Sequence, residues 1–234
     1  NLSNRNLIIN GAMQVAQRGT SSTVSDYGTV DRFQVNYSGT DEAPTQAQAD
    51  VASGTTPYTL GFRKTLKITN GNQTSGAGSS DYIYIRTKLE AQDIAQSGWN
   101  YTSTSSYITL SFWVKSSVAQ NFYGRIQTSD GTAYNYPFET GSLSADTWTK
   151  ITKTISGNSN LQFDTDNNTG LTLFLHPFRG TDNTSSGVAL NTWAAYASGT
   201  RTPDQTSTWY TTNDATFEIT GVQLEVGSVA TDFE

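Results

Sequence analysis

The sequence predicts an all-β protein, an antiparallel sandwich. Three observations predict it: apolar and polar residues alternate along many short segments, Gly, Asn, Asp and Ser turns separate those segments, and short apolar stretches beside glycine stand at both ends. The end stretches are Asn6-Leu7-Ile8-Ile9-Asn10-Gly11-Ala12-Met13 and Ile219-Thr220-Gly221-Val222-Gln223-Leu224-Glu225-Val226-Gly227-Ser228. No linker interrupts the chain between them, so they are expected to pair as first and last strands and close one sandwich. At 234 residues the chain is long enough to bury one substantial core, and a single domain over 1–234 is the expectation.

Each element follows from local pattern. Alternation in Leu66-Lys67-Ile68, Ile83-Tyr84-Ile85, Phe122 to Ile126, and Leu171, Leu173 and Leu175 marks strands with one buried face. Tyr107 to Lys115 is the clearest case: Ile108, Leu110, Phe112 and Val114 share one side, and Tyr107, Thr109, Ser111, Trp113 and Lys115 the other. Lys88 to Gln96 reads as one short helix, with Leu89, Ala91, Ile94 and Ala95 available to pack and Gly98 as its stop. Ser129-Asp130-Gly131-Thr132 is a hairpin tip, because Asp-Gly supplies the positive φ of a tight turn. In the last strand Phe217 and Ile219 hold one phase and Val222, Leu224 and Val226 the other, so a β-bulge is expected at Gly221. Gly71 to Ser80 and Gly180 to Gly187 are polar loops by composition, and the mobile parts by expectation.

Composition narrows the function. Only 15% of residues are charged, and the net charge is −6, which repels duplex DNA and anionic lipid, so neither nucleic acid nor membrane insertion is expected. Without cysteine the chain forms no disulfide. No run approaches the roughly 18 apolar residues of a membrane-spanning helix. Because it begins on Asn1 and shows no signal at either end, the chain is expected to be a piece of a longer polypeptide.

The inventory for chemistry is short. Nucleophilic catalysis needs a base beside the nucleophile, normally histidine, and the one histidine, His176, ends an apolar strand before Pro177, where a hydrogen-bonded structural imidazole is expected. Twenty acidic residues leave a glycosidase pair open, but no spacing brings two together. Asp164, Asp166 and Asn168 space oxygen ligands as calcium loops do; glycine comes one place late and no closing Glu follows, which favours an Asx-rich turn. No catalytic residue, metal or cofactor is expected.

Sugar recognition needs neither metal nor acid. Aromatic rings stack on pyranose faces while amides take the hydroxyls, and aromatics make up 12% of the chain. Phe112, Phe122 and Phe217 are in phase with aliphatic residues and belong to the core; Trp113 and Trp148 lie on strands. The candidate sugar-binding rings are those beside predicted turns and loops: Trp99, Tyr101, Tyr134, Tyr136, Trp193, Tyr196, Trp209 and Tyr210. The alternative for all eight is that they pin loops onto the sandwich.

Four blocks also carry a family likeness. Asn6-Leu7-Ile8-Ile9-Asn10-Gly11-Ala12-Met13-Gln14-Val15-Ala16-Gln17-Arg18-Gly19, Val30-Asp31-Arg32-Phe33, Leu110-Ser111-Phe112-Trp113-Val114-Lys115 and Gln223-Leu224-Glu225-Val226-Gly227-Ser228-Val229-Ala230-Thr231 resemble a jelly-roll module of bacteriophage tail-fibre and other virion proteins. The end strands are more distantly similar to carbohydrate-binding modules of families 4 and 9. The resemblance implies a jelly roll, a place in the virion, host surface glycan and other virion proteins as partners, and a homo-oligomer, with a trimer favoured. Purely structural docking and polysaccharide cleavage are its alternatives. In the carbohydrate-binding modules a structural calcium draws on acids near the ends, where this chain has Ala12-Met13 and Thr220-Gly221.

Overall fold

The computed structural model describes residues 6–234. Its strands are β1 (Ser21–Ser22), β2 (Phe33–Ser38), β3 (Thr45–Asp50), β4 (Lys64–Thr69), β5 (Tyr82–Glu90), β6 (Tyr107–Ser116), β7 (Asn121–Thr128), β8 (Tyr134–Ser142), β9 (Thr149–Ser156), β10 (Thr169–Arg179), β11 (Ala194–Ala195) and β12 (Thr216–Val226). They form two six-stranded sheets, ordered β1-β3-β4-β12-β6-β9 and β11-β8-β7-β10-β5-β2. Every pairing within the sheets is antiparallel. The all-β sandwich expected from the alternation is the fold.

The core lies where the inward phases of the two sheets meet. Leu66, Ile68, Ile108, Leu110, Phe112, Val114, Phe217 and Ile219 come from one sheet, and Ile83, Ile85, Phe122, Ile126, Leu171, Leu173 and Leu175 from the other; all belong to one buried cluster. A Cβ on Gly124 would stand 2.4 Å from the Phe138 ring, so glycine lets the Phe138 ring of β8 lie against β7.

β12 carries the expected bulge. Its register on β6 shifts between Thr220 and Gln223, and Gly221 sits there at φ 61°. The extra residue lets Ile219 and Val222 both face the core. The hairpin is also as expected: Ser129 to Ala133 join β7 to β8, and Gly131 has φ 58°.

The end stretches do meet, but not as two strands. Residues 7–12 form bends and turns against β12, held by Leu7 N to Leu224 O (2.8 Å) and Val222 N to Gly11 O (3.0 Å). Asn6 completes the join with its side chain: Oδ1 accepts from Leu224 N at 3.0 Å, and Nδ2 donates to Val222 O at 3.1 Å. Asn10 and Met13 adopt left-handed φ of 62° and 58°, which breaks the extended run that Leu7-Ile8-Ile9 suggested.

The expected helix is shorter than its pattern. Lys88 to Glu90 continue β5, where Leu89 keeps the inward phase, and only α2 (Ala91–Ala95) is helical. Two single-turn helices, α1 (Thr56–Thr59) and α3 (Thr208–Thr211), were not legible in the sequence because neither spans a full apolar period. The two polar loops pair with each other: Gly180 N donates to Asp81 O (2.8 Å) and Asp182 N to Ser79 O (2.9 Å).

Candidate functional site

Most of the rings chosen beside loops are inside the protein. Trp209 and Tyr210 are completely enclosed, and Trp99, Tyr136 and Trp193 are buried. Trp209 Nε1 donates to Thr216 O and Trp193 Nε1 to Ser156 O, while Tyr210 stacks on Phe178 at 4.4 Å. For these five the sugar-stacking expectation is corrected, because an enclosed ring has no face for a ligand: Trp99, Trp193, Trp209 and Tyr210 pin loops or a helix to the sandwich, and Tyr136 is a residue of β8 packed against Trp193 at 5.2 Å. Tyr101 and Tyr134 are half-buried and pack on the core, Tyr101 edge-on to Phe163 at 5.0 Å. Tyr196, also half-buried, lines a cleft.

That cleft is built by the outward phases of β5, β7 and β10. Because Ile83 and Ile85 face the core, Tyr82, Tyr84 and Arg86 face away from it; on β7 the same alternation turns Tyr123, Arg125 and Gln127 outward. On β10 Phe174 and His176 share that side, and a register shift between Leu175 and Phe178 carries Arg179 to the same side. Phe174 pairs with Arg86 on one neighbour and Arg125 on the other. The segment after β10 supplies the wall, with Asn183, Tyr196 and Arg201. The cleft is open to solvent and has a volume of about 450 Å³, within the usual range of roughly 300–1,000 Å³ for small-ligand sites.

Guanidinium groups and rings interleave here. The Arg125 Cζ lies 3.7 Å from the Phe174 ring centre; Arg179 lies 5.1 Å from Tyr82 and 5.3 Å from Tyr84, and Arg201 lies 5.7 Å from Tyr196. The hydrogen-bond partners are neutral. Arg179 and Arg201 both donate to Asn183 Oδ1, at 2.7 and 3.1 Å, Arg201 donates to the Tyr196 hydroxyl at 2.9 Å, and Arg125 donates to Gln127 and Asn135. Among the described residues no carboxylate forms a salt bridge with Arg86, Arg125, Arg179 or Arg201, and none lines the cleft.

The electrostatics follow from that. Burial, then the charges of Arg179 and Arg201, pulls Arg125 well below the ordinary arginine value; burial and Arg201 bring Arg179 down to about 10. His176 is fully buried, accepts a long bond from Arg179 Nε (3.4 Å), and is held well below its usual pKa by burial and by Arg179, Arg125 and Arg201. The ring packs parallel to Phe174, and because its Nε2 has no hydrogen-bond partner among the described residues, the hydrogen-bonded imidazole that the sequence suggested is bonded on one side only.

A larger depression, about 760 Å³, lies on the opposite sheet around Phe62, Trp113, Gly221 and Phe233. Gln14, Ser111, Lys150 and Asp232 also line it, so a carboxylate stands among its polar groups, and Arg63 donates through Nη1 to the Tyr58 and Phe62 carbonyls while stacking on the Tyr58 ring. Asp166 and Asn168 form an Asx turn of the kind the sequence favoured, with Asn168 donating to Asp166 through both its backbone and its amide, whereas Asp164 accepts from Gln162 at 3.2 Å. Trp148 precedes β9 rather than lying on a strand, and Lys115 stacks over it at 5.1 Å.

Comparison with known proteins gives fold-level likeness only. No protein-family profile and no curated protein sequence matches the chain. Among solved structures, it is similar to the enzymatically active domain of tailspike protein 4 from bacteriophage CBA120 (TM-score 0.48, 10% identity, 95% of this chain and 21% of that one). It is also similar to a family 4 carbohydrate-binding module (0.45, 13%, 94% and 99%) and to the N-terminal cellulose-binding domain of a Cellulomonas fimi β-1,4-glucanase (0.42, 9%, 93% and 99%). The chain thus spans about a fifth of the tailspike structure. At such identities the roles of its residues rest on its own geometry.

The sequence held a signal for the cleft. Tyr82-Ile83-Tyr84-Ile85-Arg86 and Tyr123-Gly124-Arg125-Ile126-Gln127 place aromatic and cationic residues in the phase opposite the core. Reading the non-core phase of each strand finds them; looking beside turns does not.

Proposed function

We propose that this chain is a non-enzymatic carbohydrate-binding jelly roll, an adhesion module that binds host surface glycan from a phage virion appendage. The observation that carries the sugar reading is the cleft itself: partly exposed rings of Tyr82, Tyr84 and Tyr196 beside the amides of Gln127 and Asn183, in a space of about 450 Å³. The virion assignment rests on the resemblance of the four sequence blocks. Several copies per particle, a trimer by preference, multiply weak contacts by avidity.

A glycan array tests it. The chain is expected to bind a restricted set of saccharides, and Tyr84→Ala to reduce that binding while the fold persists. An array without any saccharide signal overturns the reading. Light scattering checks the trimer, and release of reducing ends from host capsule or lipopolysaccharide would replace adhesion by cleavage.

A further inference from the structure

We infer that the ligand of this cleft is an acidic saccharide, one bearing a carboxylate, sulfate or phosphate, seated against Arg125, Arg179 and Arg201. The inference rests on the sugar reading above and narrows it. It starts from missing counter-charge: four of the protein's eight arginines converge on one cleft and none meets a carboxylate there. In a chain of net charge −6, with 20 acidic residues to draw on, that separation is a built feature.

Burial strengthens the point. Arg125 is only 3% exposed, and its Nε has no hydrogen-bond partner. Buried cations are ordinarily paired, because an unpaired one bears the full cost of desolvation. The acceptors that surround these groups, Gln127, Asn135 and Asn183, orient the guanidinium planes without neutralising them. Asn183 Oδ1 even draws Arg179 and Arg201 together, which like charges resist.

An anion in the cleft supplies the missing counter-charge to the converging guanidinium groups. Arg125, Arg179 and Arg201 already use Nη1 on amide oxygens, but among the described residues their Nη2 groups make no hydrogen bond and are the donors left for carboxylate, sulfate or phosphate oxygens. A neutral sugar needs acceptors for its hydroxyl protons; arginine supplies none, and the Gln127 and Asn183 carbonyl oxygens already accept from Arg125, Arg179 and Arg201, which leaves those amides chiefly as donors. An extended nucleic acid fits poorly, since the negative chain as a whole repels a long polyanion while a short acidic residue enters the cleft alone.

The test compares acidic saccharides (uronate-containing, sulfated and phosphorylated) with neutral counterparts of the same backbone, together with inorganic phosphate and a short single-stranded DNA. Arg201→Gln and Arg86→Gln, both at partly exposed positions, are run beside Lys64→Gln on the opposite sheet, with circular dichroism to confirm folding. The expected result is selective binding of acidic saccharides, weakened by added salt. Each cleft variant should lower affinity roughly tenfold, with no change for Lys64→Gln. Binding confined to neutral saccharides overturns this inference and leaves the carbohydrate reading standing. Failure of every saccharide overturns both. Phosphate or DNA binding as tightly as the best saccharide assigns the cleft to anions at large and overturns the saccharide part.

Discussion

The guanidinium of Arg125 lies over the ring of Phe174, with its Cζ 3.7 Å from the ring centre, on adjacent strands of the same sheet face. The contact fixes the plane of a nearly buried cation and leaves its Nε without a partner. A cation–π contact of this kind contributes about 0.5–2 kcal/mol, less than the several kcal/mol that burying an unpaired charge costs.

Arg125→Met is therefore expected to leave thermal stability unchanged or raise it. Removing the uncompensated charge offsets the lost hydrogen bonds to Gln127 and Asn135. Ligand binding should fall at the same time, as when a functional site holds a destabilising group. A loss of about 3 kcal/mol or more in a denaturant melt would instead show that the arginine holds the sheet together.

Trp209 and Tyr196 should separate packing from binding. Trp209 is fully enclosed, so Trp209→Ala is expected to cost roughly 3–5 kcal/mol of stability. Tyr196 is half-buried at the cleft wall, and Tyr196→Ala should cost about 1 kcal/mol while weakening saccharide binding. Equal melting temperatures for the two variants would contradict the burial difference.

His176 gives the fold an acid sensitivity. Burial, and then the charges of Arg179, Arg125 and Arg201, depress its folded pKa, so the unfolded chain takes up a proton near pH 6.5 while the folded chain does not. Its stabilising effect is complete above that pH and declines as pH falls from there toward the lowered folded value. Melting temperatures from pH 7.5 to 5 should fall more steeply for the native chain than for His176→Phe. Parallel curves would refute the assignment.

Gly221 is irreplaceable on two counts. Its φ is 61°, and an added Cβ would stand 2.6 Å from Phe62 Cζ. Gly221→Ala is expected to lose about 1–3 kcal/mol through left-handed strain, with further loss if Phe62 cannot move aside. An unchanged denaturation midpoint would mean that β12 can relax its bulge.

Much of this architecture was written locally. The alternation from Tyr107 to Lys115 already separated Ile108, Leu110, Phe112 and Val114 from the outer phase, and the slip at Thr220-Gly221 already announced the bulge. Where local pattern misled, a longer-range contact had taken over. Leu7-Ile8-Ile9 reads as a strand, but Asn6 supplies the bonds to β12 through its side chain and Asn10 turns the chain. Lys88 and Leu89 fit a helix, but pairing with β10 extends β5 through them.

By itself the sequence determined which side of each strand is buried, because side chains alternate with a period fixed by the backbone and the hydrophobic effect selects one set. Only the tertiary structure decided what the opposite sides would make together. Arg86, Arg125, Arg179 and Arg201 are far apart along the chain and become neighbours through strand order and one register shift, both set by contacts between distant segments. The burial of Trp209 and the exposure of Tyr84 were decided in the same way, since a ring beside a loop and a ring on a strand reveal their surroundings only once the sheets have paired.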